Sequence, residues 1–418
     1  MNVRRSAALA AAAVALGAAA SPAVAAPSPS PSAIPAKAEG LFGKQDPTYD
    51  GVWRQSLALT ALATAKAEVP RPAVDWLVGQ QCADGAYAAF RAKPGADCGA
   101  KDKVDSNSTA AAVQAFVAVG GHRAEAEKSL DWLKSTQNAD GGWSYNPGGA
   151  SDANSTSVVA GALAAMGEEP GSVTSEKGQS PFDALRALAL KCGAKPAEGA
   201  AFAYQPDPKS KKLVANDDAT AAAVTAALGH GFVVSGPGED GEGGKYACHA
   251  PKDVGDAARN GAAHLASAVA KTGHLMSAMP GAKDQPDVGN TADTVVALTA
   301  AGLTGQARKP LAWLEENGAR WAGQTGPAAW AQLVLTAEAT GTDAHDFGGT
   351  DLVAKLAAEG PADASAAPTP SAEGEQKNAD DGADGDGISP WWMVGVGAFV
   401  GIGIGFLVSG RNKKRSQL

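Results

Sequence analysis

The segment Gln137-Asn-Ala-Asp140-Gly141-Gly-Trp143 decides the fold, because a second copy of it stands earlier in the chain. That copy is Gln81-Cys-Ala-Asp84-Gly85-Ala-Tyr87, and the two Asp-Gly pairs are 56 residues apart. Each copy follows a short amphipathic stretch that contains Trp-Leu, and looser copies come later in the chain. A repeat of this length predicts one supersecondary unit that is stacked several times around a shared core.

A second element follows each copy: a polar residue, then an almost uncharged run of Ala, Val and Leu. These runs begin at Asp105, Asp152, Asn216 and Asn290. Asp and Asn side chains accept hydrogen bonds from the free amides of a first helical turn, so these positions are predicted helix starts. A helix that is apolar nearly all round is a buried helix.

Amphipathic, charged helices alternate with the buried ones. The predicted buried helices lie near 51–66, 106–119, 153–166, 217–229, 290–302 and 327–340. The predicted amphipathic helices lie near 71–79, 123–135, 181–191, 256–271, 308–318 and 350–358. Six inner and six outer helices predict an all-α fold, an α6/α6 toroid. An open helical array shows the same alternation and stays as the alternative.

The Gln-x-x-Asp-Gly-x-aromatic pieces resemble the QW repeats of squalene cyclases and prenyltransferase-type α/α toroids. In that family the glutamine and the aromatic residue tie an outer helix to the loop before the next inner helix. The resemblance carries this structural role onto Gln81, Asp84, Tyr87, Gln137, Asp140 and Trp143.

The chemistry of that family finds no match in the motifs. Class II terpene cyclases use an Asp-x-Asp-Asp acid motif, whereas the nearest string here is Asn216-Asp217-Asp218, which helix capping explains. Only 6% of the residues are aromatic, and Asp97, Cys98, Cys248 and His249 lack zinc-site spacing. We therefore expect no catalytic residue, no metal and no cofactor.

The two ends of the chain predict export and anchoring. Residues 1–25 have the basic start, short apolar core and small-residue exit of a signal peptide. Residues 389–409 form an apolar span, and 410–418 are a basic tail that favours the cytoplasmic side. A Pro/Ser-rich linker (26–43), the toroid domain (44–359) and an acidic spacer (360–388) lie between them. The expected location is the cell membrane, single-pass, with the domain outside and the C-terminus cytoplasmic.

The net charge argues against one class of partner, and the cysteine content predicts disulfides. The net charge of −9 argues against nucleic acid. Four cysteines in an exported chain predict two disulfides, and of the three pairings we favour Cys82–Cys98 and Cys192–Cys248.

The polar first turns of the inner helices are expected to form a ring at one mouth of the barrel. Helix N-termini suit an anionic or amide-bearing ligand, whereas three aspartates suit a cation or hydroxyl groups. The candidate ligand-binding residues are Trp53, Asn107, Thr109, Asn154, Thr156, Asp217, Asp218, Thr220, Asn290, Asp293, Thr294, Trp330 and Gln332.

Three functional interpretations follow. The leading one is a membrane-anchored binding protein that presents a small-molecule site outside the cell. Secreted cobalamin carriers resemble the chain in their disulfide-stapled, six-on-six helical barrel, which implies uptake of a vitamin-like ligand and a membrane transporter as partner. The first alternative is a toroid-fold enzyme of terpene cyclase or prenyltransferase type that acts on lipid or polysaccharide and loses turnover when Asp217 or Asp218 is changed. The second is a structural or protein-interaction module of the envelope.

Overall fold

Twelve α-helices make up most of what the computed structural model describes, which is residues 39–93, 98–99, 101–195, 198–235, 248–278 and 285–361. The first six are α1 (Gly51–Thr64), α2 (Arg71–Gln80), α3 (Ser106–Val119), α4 (Arg123–Ser135), α5 (Ala153–Ala165) and α6 (Pro181–Leu188). The others are α7 (Asp217–Ala227), α8 (Val254–Val269), α9 (Val288–Ala300), α10 (Thr304–Thr325), α11 (Pro327–Thr340) and α12 (Leu352–Ala358). Two short antiparallel strands, β1 (Leu275–Met276) and β2 (Pro286–Asp287), precede α9.

The odd-numbered helices form a closed ring. Each of α1, α3, α5, α7, α9 and α11 packs against the next one, and α11 packs against α1. The even-numbered helices lie outside this ring, each against its preceding inner helix. The predicted all-α class is confirmed, and ring closure favours the toroid over the open array. The largest difference in helix bounds is α10, which extends over 22 residues where 308–318 was expected.

Side-chain caps start three inner helices where the sequence predicted them. The Asp105, Asp152 and Asn216 side chains accept hydrogen bonds from the third amide of α3, α5 and α7 at 2.6, 2.7 and 2.8 Å. The fourth predicted start is wrong. Asp287, not Asn290, caps α9 by accepting from the Asn290 amide at 3.1 Å.

A threonine four residues after each of these caps holds the preceding repeat loop in place. The Thr109 hydroxyl accepts the Tyr87 backbone N–H at 3.0 Å, and the Thr156 hydroxyl accepts that of Trp143 at 3.0 Å. Thr220 accepts the Phe202 amide in the same way, and Thr291 accepts that of Leu275. These fully buried hydroxyls are therefore occupied within the fold.

Most of the repeat residues form hydrogen bonds in or next to the loops after α2 and α4. The Gln81 side-chain N–H donates to the Glu125 backbone carbonyl at 2.8 Å, which ties the loop after α2 to α4. The Gln137 amide donates to the Gly141 carbonyl at 2.8 Å. The Asp84 and Asp140 carboxylates each accept the amide two residues on. Trp143 is buried and its indole N–H donates to the Leu133 carbonyl at 2.7 Å, whereas Tyr87 is buried with no hydroxyl partner among the described residues.

A positive φ makes the loop glycines necessary. Gly85 has φ +96°, and a Cβ there would stand 2.3 Å from the Lys128 carbonyl oxygen. Gly141 has φ +88° and would meet the Ser180 carbonyl oxygen at 2.2 Å. Only glycine lets these loops touch the backbone that begins or forms the next outer helix.

The folded part begins earlier than the predicted boundary at residue 44. Leu41 and Phe42 are buried in the core, and the Phe42 amide donates to the Gln55 side chain at 2.8 Å. The Gly43 amide donates to the Glu359 carbonyl at 2.9 Å, which joins the two ends of the domain.

Both favoured disulfides are present, Cys82–Cys98 and Cys192–Cys248. The predicted signal peptide, most of both linkers, the apolar span 389–409 and the basic tail lie outside the described residues. Across the helices that the structure does describe, none is both long and apolar enough to cross a bilayer.

Candidate functional site

The inner helices contribute side chains to a lumen, the space inside the ring, in successive layers. The first layer consists of the residues that lie two positions after the cap residue of each inner helix, together with one residue of α1. These residues are Asn107, Asn154, Asp218, Gly289 and Ala328, with Trp53 from α1. The second layer stands six residues on and includes Val158, Ala222, Asp293 and Gln332. The third stands nine residues on and includes Gln114, Gly161, Thr225 and Val296.

Solvent reaches the lumen along three neighbouring helices. On α7, partly accessible residues recur at Asp218, Ala222 and Thr225, while α7 packs against α5, α8 and α9 on its other faces. A three- and four-residue spacing marks one helical face, so this face is the one that looks into the lumen. The same pattern recurs on α9 and α11. We call α7, α9 and α11 the open half, and α1, α3 and α5 the plugged half.

Asp218 stands at the head of the open half. Its carboxyl Oδ2 accepts the Asn154 side-chain N–H at 2.6 Å, across the α5–α7 boundary. Neither Asp217 nor Asp218 caps α7, because Asn216 alone accepts the first-turn amide. Capping therefore does not explain Asp218, contrary to the sequence argument.

A second carboxyl group faces the same space. The Gln332 side chain of α11 donates to Asp293 Oδ1 at 2.6 Å and to the Gly289 carbonyl at 3.0 Å. Asp293 and its partner Gln332 both lie on the open half. The mouth of that half thus holds two carboxyl groups, each with one amide donor.

Burial and mutual repulsion hold a proton on this pair. Burial raises the pKa of Asp218 well above its usual value, the Asp293 carboxylate raises it further, and the Asn154 hydrogen bond lowers it. Burial likewise raises the pKa of Asp293 to about 6, against the lowering effect of Gln332. Both carboxyl groups of the pair therefore hold their protons to a higher pH than an exposed aspartate does.

Two buried cap–tyrosine pairs stand beside the site. Burial raises the pKa of Asp105 to about 7, against the hydrogen bond from Tyr145. Burial raises the pKa of Asp152 to about 6, against the hydrogen bond from Tyr204. Sequence reasoning missed both tyrosines. A signal was present, since each follows a repeat aromatic by two residues.

The plugged half is filled by the segment after α7, residues 229–235. The Phe232 amide donates to Gln114 Oε1 at 2.7 Å, and its ring meets the Trp53 ring edge-on at 5.4 Å. Gln114 also donates to the Val158 carbonyl at 3.2 Å. In this half Trp53 is half-buried, with one ring partner inside the lumen.

The remaining predicted site residues lie apart from the carboxyl pair. Asp217 turns to the outer helix α8 and bonds His264 Nε2 at 2.8 Å. The Asn290 side-chain N–H donates to the carboxylate of Asp287, the cap residue of the same helix, at 2.9 Å. Trp330 is buried and packs beside Gly323 of α10. Three of the predicted site residues have a buried side-chain oxygen without a hydrogen-bond partner among the described residues: Asn107 Oδ1, Asn154 Oδ1 and Thr294 Oγ1.

The other two candidate sites are a metal centre and a surface hollow. Among the described residues, no three His, Cys, Asp or Glu side chains are arranged to hold a metal ion. A surface hollow of about 590 Å³ lies between α1, α2 and α3, bordered by Arg71, Asp75 and His122. It is far along the helices from the mouth and lacks paired carboxyl groups, so the lumen is the better candidate.

The comparisons with known proteins give structural neighbours only. No family model matches the chain, and no curated protein matches its sequence. An ent-copalyl diphosphate synthase from Streptomyces platensis matches with a TM-score of 0.44 and 16% identity over 70% of this chain. This chain spans about half of that synthase, 50% of its length.

Two other neighbours are similar at the same level. A type II terpene cyclase from Scytonema matches with a TM-score of 0.42 and 16% identity, covering 69% of this chain and 74% of that one. A protein from Actinoplanes matches with a TM-score of 0.41 and 16% identity, covering 68% and 77%. These likenesses all have TM-scores below 0.5 and carry no argument about the fold. At this identity they say nothing about activity.

Proposed function

We propose that the protein is an enzyme in which the Asp218 carboxylic acid protonates an apolar substrate held in the open half of the lumen. One observation carries the proposal. Asp218 is accessible from the lumen, is bonded to Asn154, and has a pKa raised by burial and by Asp293. A carboxylic acid that keeps its proton at neutral pH is the group that general acid catalysis needs.

The chemistry follows from the neighbours of the acid. Asp218 donates its proton to a carbon–carbon double bond, which forms a C–H bond and leaves a carbocation and the Asp218 carboxylate. The Asn154 N–H stabilises that carboxylate. The Asp293 carboxylate and the Trp53 and Phe232 rings offer negative charge and ring faces to the cation. The Asp293 carboxylate then takes a proton from an adjacent carbon and passes it to solvent, Asp218 regains a proton from solvent, and the net reaction is an isomerisation or cyclisation without change of mass.

The lining defines the substrate class. Below Asp218 the lumen presents Ala222 and Val296 from the open half and the Phe232 ring from the crossing segment, so apart from Asp293 and Thr225 this lining suits an apolar chain. Asp293 disfavours an anionic group at the mouth. A neutral lipid with double bonds fits both conditions, and this favours the enzyme alternative over the binding-module interpretation.

The test is turnover in deuterated water. The purified full-length chain is incubated with farnesol and with squalene, and the products are analysed by mass spectrometry. Proton transfer to carbon places deuterium from solvent in the product, and Asp218→Asn is expected to abolish this. Asp217→Asn is the matched control and keeps the activity, because Asp217 bonds His264 outside the lumen. Product formation that is unaffected by Asp218→Asn would contradict the proposal, as would the absence of product with either lipid.

We also propose that the domain works outside the cell, tethered by the apolar span 389–409. The two disulfides support an oxidising compartment. Protease accessibility of the domain on intact cells, with the basic tail protected, tests this orientation.

A further inference from the structure

We infer that Phe232 limits the length of the apolar chain that the lumen accepts. The inference deepens the proposed function, on which it rests for the substrate class. The segment 229–235 follows α7 but contacts the three consecutive inner helices α1, α3 and α5. Since α1 lies opposite α7 in a six-helix ring, a segment that leaves α7 and reaches α1 crosses the lumen.

The depth of the crossing follows from its contacts. Gln114 and Gly161 both belong to the third layer, and both touch this segment. The Phe232 ring then points toward the mouth, where it meets Trp53 of the first layer. The crossing therefore forms a floor, and the distance from the first layer to the third is about 10 Å at 1.5 Å per helical residue.

Two glycines seat the segment. A Cβ on Gly161 would stand 2.7 Å from the Gly231 Cα, which real Cβ contacts do not tolerate. A Cβ on Gly231 would stand 2.2 Å from Gln114 Oε1. The close approach of these two backbones places Phe232 inside the ring.

The accessibility pattern supports the same floor. In the third layer, Gln114 and Gly161 of the plugged half are buried, whereas Thr225 and Val296 of the open half stay partly accessible. Phe232 is itself half-buried, so part of its ring borders the open half. An apolar chain that enters at Asp218 and Asp293 thus ends against Phe232, within the roughly 10 Å that separate the first layer from the third.

The experiment measures calorimetric binding of linear primary alcohols, from six to sixteen carbons, to the full-length chain. Each methylene that enters the lumen raises affinity about fourfold. We expect the affinity of the wild type to rise with the chain length of the alcohol and then to level off. In Phe232→Ala the levelling point should move to alcohols that are several carbons longer. The longest alcohols then bind at least tenfold more tightly to the variant, an estimate that follows from two or more added methylenes.

Two further variants keep the result interpretable. Gly161→Ala should move the levelling point in the same direction, because it displaces Gly231 without altering the phenyl ring. Phe116→Ala removes a buried ring that packs against His122 at 5.5 Å, at the far end of α3, and should keep the wild-type levelling point.

An unchanged levelling point in both Phe232→Ala and Gly161→Ala would overturn the inference, and so would the absence of alcohol binding by all variants. The assay needs no turnover, so it separates the two proposals. A shifted levelling point together with no deuterium incorporation would refute acid catalysis and leave the floor intact.

Discussion

The open half and the plugged half are built from the same kind of helix but face the lumen differently. In the plugged half, α1, α3 and α5 present Trp53, Gln114 and Gly161 to an internal segment that contacts them. In the open half, α7, α9 and α11 present Asp218, Asp293 and Gln332 to accessible space. The alternation of buried and amphipathic helices forms the ring, and the segment 229–235 covers one half of the ring and leaves the other half accessible.

The largest expected effect concerns the acid of the open half. Asp218→Asn removes the transferable proton but keeps the size of the side chain and a partner for Asn154. We expect turnover of an accepted lipid to fall about a thousandfold, within the range of general acid catalysis. Melting temperature should change little or rise, since a buried ionisable group is removed. A variant that retains a tenth or more of the activity would place the acid elsewhere.

Stability should fall as pH rises, and the two halves should share the effect. Asp105, Asp152 and Asp293 have folded-state pKa values raised to about 7, 6 and 6. Above pH 4 the unfolded chain releases these protons while the folded chain keeps them, so the free energy of unfolding decreases until pH passes the folded pKa values. We expect a loss on the order of 5 kcal/mol between pH 4.5 and 7.5, at about 1.4 kcal/mol per pKa unit with allowance for screening.

Urea unfolding at several pH values, on wild type and Asp293→Asn, measures this loss. The variant should lose about 2 kcal/mol less over the same interval, because the open-half carboxyl no longer titrates. A flat profile in the wild type, or stability that rises with pH, would contradict the raised pKa values.

A matched pair of Gly→Ala substitutions contrasts the two walls directly. Gly161→Ala forces a Cβ against Gly231 at 2.7 Å, and we expect it to destabilise the fold by about 1–3 kcal/mol. Gly289→Ala, on the first layer of the open half, meets its nearest atom at 3.5 Å and should stabilise by about 0.5–1 kcal/mol through helix propensity. Chemical denaturation of both variants measures the difference. Equal changes of the same sign would show that the two walls are packed alike.

The smallest expected effect lies outside the lumen. Asp217→Asn breaks a half-exposed pair with His264, and we expect a loss of less than about 1 kcal/mol and turnover within twofold of wild type. Thermal unfolding and the lipid assay measure both quantities. A large loss of activity would mean that the outward carboxyl takes part in the reaction.

The sequence predicted the helical ring well, because caps and apolar periodicity are local signals. Asp105, Asp152 and Asn216 start helices where expected. The register of α9 was missed because both Asp287 with Thr291 and Asn290 with Thr294 have the spacing of a cap followed by a threonine. Only the contact of Thr291 with the Leu275 amide separates the two.

The site was predicted less completely. Asp218, Asp293 and Gln332 were among the candidates, but so were Thr109, Thr156 and Thr220, whose hydroxyls serve the repeat loops. Counting two and six residues from each cap would have separated the lumen residues from the structural ones. The Gly231–Phe232 segment could not have been found in this way, because a loop sequence does not reveal which helices the loop crosses.

The proposed function requires Asp218 to hold a proton at neutral pH. Infrared difference spectroscopy between wild type and Asp218→Asn at pH 7 tests this directly, through the C=O stretch of a protonated carboxyl group. We expect this band to be present in the wild type, to shift when the solvent is deuterated water, and to be absent from the variant. A difference spectrum that shows only carboxylate bands at pH 7 would refute acid catalysis by Asp218.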